Sequence, residues 1–119
     1  MSPPILVVED DALIRMDLAD TLMDAGYGVL EASNADDALG ILETEEISAL
    51  LTDIDMPGSI NGIGLANTVS ERWPDCKIVV ISGRYNPAQG SLPSSATFLS
   101  KPVSEKALLK TMTEMQLRP

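Results

Sequence analysis

The sequence predicts an α/β fold, a doubly wound parallel sheet of five strands with helices on both faces. Three observations predict it. Apolar runs of strand length alternate with stretches of helical period along the whole chain. The fourth strand-like run, Lys77–Ile81, is rich in β-branched residues, as parallel strands buried on both faces are. Gly, Pro, Asn and Ser punctuate the changes of period.

The elements follow in order. Ile5-Leu6-Val7-Val8 is the first strand, and Ile14, Leu18 and Leu22 then recur at i, i+4 spacing until Gly26 stops the helix. Gly28–Ala32 is a weaker second strand. Asn34 caps a helix that places Ala35, Ala38, Leu39 and Leu42 on one face. Ala49–Thr52 forms the third strand and runs into Asp53. A loop through Pro57-Gly58 and Asn61-Gly62 leads to a helix with Leu65 and Val69 inward, ending before Pro74. Lys77–Ile81 is the fourth strand and Thr97–Leu99 the fifth. Between them Arg84–Ser95 carries Pro87, Gly90 and Pro93, which leaves room for a turn or two, so the fourth helix is expected to be short or distorted. Ser104 caps a last helix with Leu108, Met112 and Met115 at helical spacing.

Composition narrows the function. The 119 residues make one domain, taken as 1–119, large enough for a single core. No apolar run approaches the ~18–20 residues of a membrane span, and no signal peptide is visible, so the chain is expected to be cytoplasmic and not inserted in a membrane. The single cysteine, Cys76, excludes an internal disulfide and a multi-cysteine zinc site and reads as a packing residue. A net charge of −10 with 3% aromatics argues against direct nucleic-acid binding. With no histidine, imidazole chemistry is excluded.

If the strands are parallel, their C-terminal ends share one edge, and ligands bind at that edge in such sheets. Glu9-Asp10-Asp11, Asp53 and Lys101 all fall there. Carboxylates ~5 Å apart repel by roughly 3 kcal/mol per pair at an effective dielectric near 20. Raised pKa values, Lys101 or a metal must compensate. Oxygen-only ligands favour Mg²⁺, with Mn²⁺ able to substitute. An aspartate beside such an ion can attack phosphorus and form an acyl phosphate.

Four motifs in order, Val7-Val8-Glu9-Asp10-Asp11, Thr52-Asp53-Ile54-Asp55-Met56-Pro57-Gly58, Val80-Ile81-Ser82-Gly83 and Ser100-Lys101-Pro102, make the chain resemble a response-regulator receiver domain of two-component signalling. The resemblance spans essentially the whole chain and implies a flavodoxin-like sheet of strand order 2-1-3-4-5. It implies that Asp53 is the phospho-acceptor, Asp10 a direct metal ligand, Glu9 an acid acting through water, and the Asp55 carbonyl a third protein ligand. It further implies that Lys101 pairs with the phosphate, that the Ser82 hydroxyl swings to it beside the small Gly83, and that Phe98 is the switch aromatic. The Lys101–Pro102 bond is then expected to be cis. Taken alone, Asp11 is a helix-start acid and Phe98 a core residue.

Two features depart from the family pattern. Asp55 and Arg84, each two residues beyond a site residue, have opposite charges and are expected to tune hydrolysis by covering the path of the water. The loop at Pro57–Gly62 is one residue longer than usual and Ser82–Lys101 a few residues shorter, which puts a standard symmetric dimer in doubt. A monomer or weak dimer is therefore expected.

The leading expectation is a single-domain response regulator, not an enzyme beyond its own phosphorylation and dephosphorylation. Its partners would be a sensor histidine kinase or histidine phosphotransfer protein and an unidentified downstream protein. The alternatives are a phosphorylation-independent protein-binding module, a haloacid-dehalogenase-type phosphatase using Asp53 and Asp55, and a flavodoxin-like FMN binder.

Overall fold

A computed structural model describes residues 2–55, 61–83 and 92–119. The strands are β1 (Ile5–Val8), β2 (Val29–Ala32), β3 (Ala49–Asp53), β4 (Lys77–Ser82) and β5 (Ala96–Ser100). The helices among the described residues are α1 (Ala12–Asp24), α2 (Ala35–Thr44), α3 (Gly62–Arg72) and α4 (Glu105–Glu114). All strand pairs are parallel, in the order β2-β1-β3-β4-β5. The expectation of a short fourth helix over Arg84–Ser95 falls largely outside the described residues, as does most of the Pro57–Gly62 loop.

Alternation along the buried strands divides the core. Leu6, Val8, Leu50, Ile78 and Val80 meet α2 and α3 through Ala38, Leu42, Leu65, Ala66 and Val69. Ile5, Val7, Ala49, Leu51, Val79 and Ile81 meet α1 and α4 through Leu18, Leu22, Leu108 and Met112 on the other face. The connection through α1 carries the chain outward from β1 to β2, whereas α2 and α3 carry it back across the sheet. Right-handed crossovers therefore put α1 on the opposite face from α2 and α3. The direction reverses between β1 and β3, which opens the edge just beyond Val8 and Asp53.

The helix ends follow local chemistry. Asn34 accepts from the Asp37 amide at 2.7 Å and Ser104 from the Ala107 amide at 3.0 Å, the two caps expected from sequence. Asp11 caps α1, its Oδ1 taking the Leu13 and Ile14 amides at 2.9 and 3.2 Å. Gly26 ends α1 at φ 98°, with its amide on the Met23 carbonyl and the Tyr27 amide on that of Leu22. Met115–Leu117 repeat this arrangement after α4, but there the left-handed position, at φ 63°, is held by Gln116. Cys76 is buried, and burial pushes its thiol up to about 11, in keeping with a packing role.

Ile14 keeps the helical spacing of Leu18 and Leu22 but is 39% exposed. It lies in the first turn of α1 and lines a groove of about 560 Å³ with Leu13, Pro102 and Val103.

Candidate functional site

Glu9 follows β1 directly, and register across the sheet brings its neighbour Val8 level with Thr52, one residue before Asp53. Side-chain oxygens of Glu9, Asp10 and Asp53 all lie within 4.8 Å of one another. Glu9 is 1% exposed and Asp53 is also buried, while Asp10 faces solvent. Lys101 arrives from the far side. Its amide donates to the Ser82 carbonyl at 3.0 Å, which ties the start of the β5–α4 connection to the end of β4. Its Nζ then reaches past β4 to Asp53 Oδ2 at 2.9 Å and Glu9 Oε1 at 3.2 Å.

This geometry leaves negative charge only partly compensated. Burial is the main cause that raises the Glu9 carboxyl to about 7, helped by its hydrogen bond with Asp10 and by the charge of Asp53; the Asp11 amide and Lys101 oppose the rise. For Lys101, burial alone would lower the pKa, but hydrogen bonds to Asp53 and Glu9 and the charges of both outweigh it, so the ammonium is held above its ordinary range. The site at neutral pH thus holds a fixed cation, an acid near its titration midpoint and room for further positive charge.

The other expected residues lie around this centre. Asp55 is exposed, and its amide donates to Asp53 Oδ1 at 3.3 Å. Ser82 is buried at the end of β4, opposite Ser100. A methyl group added at Gly83 would meet Lys101 Cβ at 3.6 Å, an ordinary contact. The Lys101–Pro102 peptide is cis. Phe98 is 39% exposed on β5, an edge strand of the sheet, so the reading of it as a core residue is corrected. Arg84 lies outside the described residues.

Two contributors were missed from sequence. Gly62, at the start of α3, has no room for a side chain: a Cβ there would land on the carbonyl oxygen of Asp53 and 2.7 Å from Ile54 Cα. Its own amide donates to the Ile54 carbonyl at 2.9 Å, and Asn61 caps the helix through the Gly64 amide at 3.0 Å. The Asn61-Gly62 pair, read as a turn, was the available signal. The second contributor is Arg15, whose guanidinium holds the Glu9 carbonyl.

A family profile described as the response regulator receiver domain matches residues 5–113. The chain belongs to the response-regulator receiver family. Among its receiver relatives is the response regulator receiver protein CpdR of Brucella abortus, 39% identical over 93% of this chain and 94% of that one. Other relatives are longer, and this chain spans 24% of two response regulators and 12% of a sensor kinase. The receiver domain of the hybrid histidine kinase CckA superposes with a TM-score of 0.79 at 32% identity, covering 97% of this chain and 99% of that one. The Thermotoga maritima response regulator TrrA, solved with Mg²⁺ and BeF, superposes with a TM-score of 0.86 at 25% identity, covering 96% and 99%.

Family membership supersedes the dehalogenase-type and FMN-binding alternatives. It also makes sense of the acids: Glu9, Asp10 and Asp53 fit the receiver Mg²⁺ site, as a convergent all-oxygen set with one solvent-facing member. Among the described residues no helix is long and apolar enough to cross a membrane.

Proposed function

We propose that this chain is a single-domain response regulator, residues 1–119, that accepts a phosphoryl group from a phosphohistidine donor onto Asp53 in a Mg²⁺-dependent reaction and passes the signal to a protein partner. The observation that carries this reading is the Asp53 carboxylate, buried at the meeting point of the Lys101 ammonium and the acids Glu9 and Asp10.

Asp10 and Asp53 would hold the ion directly, with Glu9 acting through water and the Asp55 backbone carbonyl completing the protein ligands; Mn²⁺ would serve in place of Mg²⁺. When bound, the ion supplies positive charge to the oxygens of the transferring group. A carboxylate oxygen of Asp53 attacks phosphorus, the P–N bond of the donor breaks, and its electron pair leaves with the imidazole nitrogen, which is protonated from solvent. The product is an aspartyl phosphate. Lys101, already 2.9 Å from Asp53, pairs with the phosphoryl oxygens, and Ser82 supplies a hydroxyl hydrogen bond. Phe98 reports the change at the outer face, and Asp55 together with Arg84 tunes hydrolysis. An unchanged dephosphorylation rate in Arg84→Ala would remove that last role.

Partners in this reading are a sensor histidine kinase or a histidine phosphotransfer protein and a downstream target. The likeness to a receiver from a hybrid histidine kinase supports such a donor. The setting is cytoplasmic, and the chain catalyses only its own phosphorylation and dephosphorylation. The test is incubation with acetyl phosphate and Mg²⁺, borohydride reduction and peptide mapping. Conversion of residue 53 to homoserine is expected; label at another residue, or none, contradicts the reading.

A further inference from the structure

The metal-binding acids stand on a short connection between β1 and α1, and their placement depends on how that connection is held. Glu9 is anchored at both ends of its backbone. Its amide donates to the Ala32 carbonyl at the end of β2, at 3.1 Å. Its carbonyl accepts Nη1 of Arg15 at 2.8 Å. The same guanidinium donates through Nε to Glu31 Oε1 at 3.2 Å. Glu31 is the residue of β2 that precedes Ala32, so both anchors end on the same two residues of the neighbouring strand.

We propose that Arg15 is a positioning residue for the metal-binding acids, holding the Glu9–Asp10 peptide so that both side chains face Asp53 before a cation arrives. The inference rests on the Mg²⁺-dependent reading above. The carbonyl that Arg15 holds belongs to the peptide linking Glu9 to Asp10, so fixing its plane fixes the direction in which Asp10 leaves the backbone. That matters most for Asp10, which faces solvent and whose side chain hydrogen-bonds with Glu9, so that its orientation follows that of Glu9. The planar fork of an arginine suits the task because two of its N–H groups diverge toward two acceptors at once. A lysine offers one ammonium on a flexible stem and cannot hold both with the same geometry. Glu9 Oε2 also accepts the Asp11 amide at 3.2 Å, so a slack Glu9 backbone would loosen that contact too.

Residues that orient metal ligands from behind commonly change affinity 10–100-fold when removed. Arg15→Met is expected to weaken Mg²⁺ binding about tenfold in titration calorimetry of the folded chain, with Arg15→Lys intermediate. Glu31→Gln leaves the bond to the Glu9 carbonyl in place and is expected to change affinity less than about threefold, since an exposed ion pair contributes little. In the metal-free protein, amide exchange at Asp10 and Asp11 is expected to quicken in Arg15→Met while exchange in β4 stays at the wild-type rate, which a general loss of stability would not produce. If Arg15→Met does not fold, Arg15→Lys carries the test. Wild-type affinity in whichever of these variants folds overturns the inference alone. A wild-type chain that takes up no Mg²⁺ overturns the inference and the metal-dependent reading together.

Discussion

The ammonium of Lys101 and the carboxylate of Asp53 meet at 2.9 Å although β5, which ends one residue before Lys101, and β3, which ends at Asp53, are separated by β4. The contact passes over the C-terminal end of β4, where the Lys101 amide is fixed to the Ser82 carbonyl. Lys101 also touches Glu9, so one cation links the acids of β1 and β3 to the β5 edge. Lys101→Met removes the cation that pairs with both of these buried carboxylates. The metal-free protein is expected to lose about 1–2 kcal/mol at pH 8 in urea denaturation, with solvent access to Lys101 limiting the effect. Added Mg²⁺ is expected to restore much of it.

The raised pKa of Glu9 gives the metal-free protein a pH dependence of definite sign. Its carboxyl titrates near 7 in the fold against an ordinary value of 4.5. Between those values the folded state binds more protons than the unfolded state, so stability falls as pH rises from 4.5 through 7 and then levels off. The effect reaches at most about 3 kcal/mol. Glu9→Gln is expected to flatten the fall in denaturation curves taken at pH 5 and pH 8. A slope unchanged in the variant would assign the dependence to the general charge of −10 instead.

Gly62 packs its backbone against the carbonyl that closes β3. Gly62→Ala is expected to displace either the start of α3 or the end of β3, at a cost of about 1–3 kcal/mol. Its distinguishing mark is a shift of the Asp53 and Ile54 amide resonances, beyond the change in melting temperature. Wild-type stability and spectra would show that the close approach is relieved without strain.

Gln116 occupies a left-handed backbone position that favours glycine. Gln116→Gly is expected to stabilise the chain by about 0.5–1 kcal/mol, a few degrees in melting temperature. A destabilised variant would mean that the side chain contributes more than the backbone strain it costs.

Legibility of the sequence followed how local the physics was. Strands buried on both faces announced themselves because every residue from Ile5 to Val8 is apolar, and Asn34 and Ser104 were readable as caps because a cap acts within three residues. Asp53 and Lys101 were found because one ends and the other directly follows a strand whose direction could be inferred. Periodicity put Ile14 on one stripe with Leu18 and Leu22 but could not show that it stays exposed, because spacing gives a face of a helix and not what lies beneath it. Phe98 was ambiguous for a related reason: whether an aromatic on the last strand is covered depends on what packs beyond the edge. Arg15 and Gly62 were missed because their significance is a backbone carbonyl brought close by the fold. A lone arginine on an acidic helix and a glycine after asparagine have ordinary local explanations.

The central claim is that Asp53 accepts a phosphoryl group with a divalent cation beside it. Intact mass after incubation with acetyl phosphate, with and without Mg²⁺, for the wild-type chain and Asp53→Asn, tests it most directly. One phosphoryl adduct that requires Mg²⁺ and is absent from Asp53→Asn is the expected result. An adduct that persists in Asp53→Asn, or none in a folded wild-type chain, would contradict the account.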